Sequence, residues 1–282
     1  MRAAAVVRYR QLLGLWTFAF LLPRLPWLAS LYCRPVLRGD VLEWLGLGPP
    51  PPAAVAGLFA VCLGALLAVT AGWRSRAAWL VFYPCFALIL ALDPFSARGY
   101  GTLALVQWGL LWFAPFDADP EAEVAAWPAQ LLVLQWASVY VLSVGAKLSE
   151  PGWQTGTALF RALNSDEQGR WLLSADGVSQ EVAFALSVAT IVAEVGIGVG
   201  VWFPRTRWLA ALACLGLHAG ILASMRISPL FALVMWLHLP LALALPTGRS
   251  SGILARCGGP SLPWPLRETP RPSPRSGLDS IR

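Results

Sequence analysis

Lys147 is the one lysine in a chain of 282 residues whose other 20 basic residues are all arginine. A bias that strong is expected to turn any lysine serving only as a positive charge into arginine, so Lys147 is expected to need something arginine lacks. Arginine keeps its proton in proteins, whereas a desolvated lysine amine can become a neutral base or nucleophile. Tyr140 and Ser143 precede Lys147 by seven and four residues, spacings that share one face of a helix. Two further ionisable residues lie inside apolar runs: Glu194 in "ATIVAEVGIGVGVWF" and His218 in "CLGLHAGILASM". An ionisable group within a membrane span is costly, so by default it faces the bundle interior and has a partner or a task. The five could line one polar cavity.

Each also has a plainer reading. Lys147, near a helix end, can snorkel to the interface. Glu194 can be a hydrogen-bonded packing residue, and His218 a neutral bridge between helices. His238 in "MWLHLPLA" reads as such a bridge, and Arg226 as an interfacial anchor. The "GIGVG" run at 196–200 reads as close helix packing, not as a phosphate loop, because no strand precedes it. The pairs Gln107–Trp108 and Gln135–Trp136 read as interhelical contacts.

The elements that must position these residues follow from composition. At 57% hydrophobic, 13% charged and a mean hydropathy of +0.61, the chain is too apolar for a soluble domain, where about a quarter of residues are charged. An all-α polytopic membrane bundle is expected. With about 20 apolar residues per crossing, eight spans are expected: Leu12 to Leu31, Ala53 to Gly72, Ala77 to Leu92, Thr102 to Phe116, Ala129 to Leu148, Val182 to Phe203, Trp208 to Ile227 and Leu230 to Leu245. The first, with Arg24 and two prolines in "LLPRLPWLASLYC", reads as a retained, irregular helix and not as a signal peptide.

Thirteen arginines fall before the first span, in the "WRSR" and "PRTR" turns and in the tail, against seven plus Lys147 elsewhere. The positive-inside rule then makes the N-terminus and the tail cytoplasmic and puts Lys147 at the outer face. On the same side, "QTGTALFRAL" reads as a short amphipathic helix with Ala158, Leu159 and Ala162 opposite Arg161 and Asn164, able to roof a cavity. Residues 1–248 are expected to form the membrane domain and 249–282 a disordered basic tail rich in proline and glycine. The net charge of +6 is scattered over loops and tail, which gives no nucleic-acid footprint. The five cysteines show no metal or disulfide spacing. The expected partners are the lipid bilayer and a hydrophobic small molecule or lipid.

"YVLSVGAKLSEPGWQTGTAL" resembles a pattern of the horizontally transferred transmembrane (HTTM) domain: Tyr, small residues, Lys-Leu, a short gap, Trp, two residues, Gly. Two further segments agree in order, "LDPFSARGYGTLALVQWGLLWFAPFDAD" with the family's middle hairpin and "LHAGILASMRISPLFALVMWLHLPLAL" with its late histidine helix. The resemblance covers roughly residues 10 to 247. Vitamin K-dependent gamma-glutamyl carboxylases share this membrane domain. By that resemblance Lys147 would be the base that deprotonates a reduced quinone of the vitamin K kind, and Trp153 and Gly156 join Tyr140, Ser143, Glu194 and His218 as substrate-binding residues. The turn "FAPFDADPEAE" has no histidine where the carboxylases carry one, which speaks against carboxylation of glutamate.

Two function classes stay open. One is a membrane enzyme using Lys147 as base on a quinol-like or other hydrophobic substrate. The other is a non-catalytic module that binds a lipid or a partner protein, with Lys147 holding an anion or pairing with Glu194. A third reading, a transporter, lacks the inverted repeat or paired broken helices such proteins show. The expected location is the inner (plasma) membrane of a bacterium.

Overall fold

The computed structural model describes residues 1–33, 46, 48–93, 99–115, 119–165, 167–169 and 177–246. The tail expected to be disordered, Cys257 and residues 94–98 of the middle hairpin lie outside the described residues.

All regular elements among the described residues are helical, and the only β pairing there is two isolated bridges. The chain opens with α1, Ala3–Leu21, which starts well before the expected Leu12. Pro23 and Pro26 then force a 3-10 stretch, Leu22–Trp27, before the short α2, Leu28–Tyr32. The expected irregularity of the first span therefore has proline as its cause.

Helix α3, Pro52–Ala71, begins with a proline at its first position, where the missing N–H costs nothing, and ends at Gly72, whose φ of 87° suits the left-handed cap. A tight turn leads into α4, Ser75–Leu92. The next helix, α5, Tyr100–Leu111, has only 12 residues. Pro115 lies four residues beyond Leu111, and its ring clashes with the carbonyl of the residue four before it.

Helix α6, Trp127–Ser149, carries the lysine. Two short pieces follow: α7, Pro151–Gln154, and α8, Thr157–Leu163. The long α9, Gln180–Gly200, and α10, Arg207–Ser224, form the next pair. The last apolar segment is split into α11, Pro229–Trp236, and α12, His238–Ala244. Pro240 explains the split, because it removes the N–H that would bond to the Trp236 carbonyl.

Among the described residues six helical segments are long and apolar enough to cross a membrane, where eight spans were expected. The expected fourth and eighth spans are the 12-residue α5 and the broken α11–α12, which fall short of that length. The ends of the helices nevertheless sort into two levels. At one level the Ala3 and Ala4 amides donate to the carbonyls of Ala122 and Pro120, and Arg207 donates to the Leu245 carbonyl at 2.8 Å. At the other, the Arg226 amide donates to the Gln168 carbonyl at 2.7 Å. Lys147, at the far end of α6 from residues 119–126, belongs to this second level.

Because lipid tails are as apolar as leucine, helices in a bilayer hold together by packing and by hydrogen bonds from polar side chains. Tryptophan supplies both here. Trp16 donates to the Leu230 carbonyl (2.8 Å), Trp79 to the Trp108 carbonyl (2.9 Å) and Trp108 to the Thr17 hydroxyl (3.0 Å), tying α1 to α11, α4 to α5 and α5 to α1. Phe20, Phe82, Phe86 and Trp108 pack edge-to-face or stacked around those bonds. Outward positions such as Leu67, Leu142 and Val192 are more than half exposed, as a lipid-facing surface requires.

Candidate functional site

The site begins with a close helix contact. A Cβ built on Gly198 of α9 would stand 2.8 Å from Val141 Cγ2 and 3.4 Å from the Ala137 carbonyl oxygen of α6. The "GIGVG" run thus does what small residues do in membranes at Gly198, letting two backbones approach. One turn before that contact, Glu194 is carried into the interface, 7% exposed. Ser143 and Lys147 face it from α6.

Lys147 Nζ donates to both carboxylate oxygens of Glu194, at 2.8 and 2.9 Å, and to the Ser143 hydroxyl. Ser143 in turn donates a hydrogen bond to Glu194 Oε1 at 3.2 Å. The two charged side chains are 13% and 9% exposed. An ammonium has three protons and no acceptor capacity, and here three acceptors meet it. The amine also lies in the last turn of α6, where the helix dipole favours a cation. Trp153 covers it, with Nζ 4.9 Å from the ring centroid, a cation–π geometry.

The α7–α8 corner holds Trp153 in place. Ser187 of α9 donates to the Trp153 carbonyl at 2.9 Å. Gly156 turns the chain with φ of 74°, and a Cβ there would lie 2.5 Å from Phe184 Cα. Only glycine allows that turn to sit on α9. Gly156 therefore positions the corner, while Trp153 touches the amine.

Tyr140 and His218 form a neighbouring cluster. The phenol oxygen lies 2.9 Å from His218 Nε2 and 3.3 Å from Cys214 Sγ. Cys214 and His218 are four apart on α10 and so share its inner face. His218 is 2% exposed, and its Nδ1 has no partner among the described residues. Tyr140 stands two turns before Lys147 on the same face of α6, so the two clusters stack along one helix.

A family profile, that of the HTTM domain, matches residues 3–244. The chain belongs to the HTTM domain family. It is an integral, multi-pass membrane protein, with the lipid bilayer as its surroundings. No curated protein and no solved structure matches it.

In this HTTM chain the three residues shared by one face of α6, Tyr140, Ser143 and Lys147, do meet Glu194 and His218 from two other helices. The expectation of one cavity becomes two adjoining contacts instead. His238 bridges as its plain reading has it, with Nε2 2.9 Å from the Tyr9 hydroxyl. Trp108 makes its interhelical bond, but the Gln107 amide, Gln135 Oε1 and Trp136 Nε1 have no partner among the described residues. Cys214 carried no signal beyond a small apolar residue. The buried arginines were hidden as well: Arg207 donates to the Val201 and Leu245 carbonyls, Arg10 to Ser75, and Arg24 pairs with Asp93 at 3.7 Å. All sit at the edge of apolar runs, where arginine also serves as a topology signal.

A reduced quinone would need Lys147 as an acceptor of its hydroxyl proton. In the observed arrangement the three acceptors around Nζ fit an ammonium holding anions. The cavity at this level, beneath α8, is lined by Leu159, Leu186, Ala193, Leu217 and others, and by none of the seven expected site residues.

Proposed function

We propose that this HTTM protein binds a membrane-dissolved molecule with an anionic or acidic head, which Lys147 engages at the outer face of a bacterial plasma membrane. Glu194 is then the resident anion that keeps the ammonium neutralised when no ligand is bound. The single observation that carries this reading is the set of three oxygen acceptors, two from Glu194 and one from Ser143, that surround Nζ. Trp153 supplies a lid over the cation, and His218 Nδ1 a buried polar atom free for a ligand. The excess of arginine at the other level supports the outer assignment through the positive-inside rule. A base acting on a quinol-like substrate is the second reading, and it requires the proton to pass first from Lys147 to Glu194.

One experiment separates them. An amine-reactive ester is applied at neutral pH to the protein in nanodiscs, with its N-terminal amine blocked and Lys147→Arg as control. A charged, enclosed Lys147 stays unlabelled, and Glu194→Gln, by leaving a buried cation without its partner, lowers stability by about 3–5 kcal/mol. Rapid labelling of the wild-type amine at neutral pH would sink the binding reading in favour of the base.

A further inference from the structure

A groove of about 450 Å³ runs between α9 and α10 beneath α8, within the range of about 300–1,000 Å³ typical of ligand sites. Leu163 roofs it, Leu186 and Ala193 form one wall, and Gly216 and Gly220 the other. Leu186, Ala189, Gly216 and Gly220 of its lining are exposed, so the opening faces lipid. Gly216 and Gly220 have the Gly-x-x-x-Gly spacing that lets a second backbone approach closely. Yet a Cβ built on either meets nothing within 4 Å. Glycine inside a helix is destabilising relative to alanine, and no part of the described chain uses the room these two provide.

Charge at the mouth points to an occupant. Arg226, which is exposed, directly follows Met225, which lines the groove, and takes no part in the three ion pairs among the described residues. Leu159 and Leu163 of α8 cover the upper end. A chain hanging from an interfacial phosphate fits under such a roof.

We propose that this groove holds one acyl chain of a bilayer glycerophospholipid whose phosphate is engaged by Arg226. The site is separate from Lys147, since no residue of the lysine cluster lines it, and it does not depend on the reading above.

Native mass spectrometry of the intact chain, released from nanodiscs of phosphatidylglycerol and phosphatidylcholine, tests it. The wild-type protein carries one phospholipid adduct. Gly220→Leu, whose added atoms enter open space, lowers the adduct fraction about tenfold by displacing several chain methylenes. Arg226→Gln leaves the groove intact and costs about fivefold, mostly in the phosphatidylglycerol adduct. Lys147→Ala keeps the adduct. Ala193→Leu fills the same space from the opposite wall and replaces Gly220→Leu should that variant misfold by near-ultraviolet circular dichroism. An adduct unchanged in the filled variant overturns the proposal. So does a dimer that Gly220→Leu converts to monomer, which would make a second copy the occupant.

Discussion

Two buried tyrosine–histidine pairs flank Trp136, with the same 2.9 Å bond and different surroundings. In the pair Tyr9–His238, Nδ1 of the neutral imidazole donates to the Val234 carbonyl at 3.1 Å, so Nε2 accepts a hydrogen bond from the Tyr9 hydroxyl and both nitrogens are used. His238 also stacks on Trp136, the rings 5.6 Å apart and 11° from parallel. In the pair Tyr140–His218, Nδ1 has no partner among the described residues, and the phenol oxygen is shared with a thiol. Fully satisfied, the first pair clasps α1 to α12. Half satisfied and stacked on the helix face of Lys147, the second has capacity left for a ligand. A polar group buried without a partner is costly, and a ligand head group reaching His218 would remove that cost.

Unfolding by detergent titration should rank the two. The largest loss is expected from His238→Ala, about 3 kcal/mol, because it removes the clasp and the ring stacked on Trp136. Tyr9→Phe comes next, at about 1–2 kcal/mol, as it strands His238 Nε2 in the core. Tyr140→Phe should cost least, under about 1 kcal/mol, since His218 already tolerates an unmet nitrogen. Ligand effects should run the other way, with Tyr140→Phe weakening head-group binding and Tyr9→Phe leaving it alone. Equal stability losses for the two phenylalanine variants would erase the comparison and make both pairs structural.

Much of the site was legible because it is periodic. Tyr140, Ser143 and Lys147 share a face by spacing alone, and Glu194 and His218 stand out against apolar neighbours. Legibility failed where a residue's role depends on a distant backbone. Gly156 was found only through its place in a family pattern, and its reason is the Phe184 backbone 2.5 Å from any added Cβ. The span count failed for a local reason instead. Hydropathy continued through Thr102 to Phe116 and Leu230 to Leu245, but Pro115 and Pro240 withdraw backbone donors and break those helices.

By itself the sequence determined an all-helical membrane chain of the HTTM family with a lone lysine and two ionisable residues inside apolar runs, because hydropathy and helical period are read from neighbours. Tertiary structure alone decided which of them pair. Lys147 meets Glu194 across 47 residues, Tyr140 meets His218 across 78 and Tyr9 meets His238 across 229. Such partners are chosen by which helix faces can pack closely, and at the decisive contact that was set by a side chain that is absent, at Gly198.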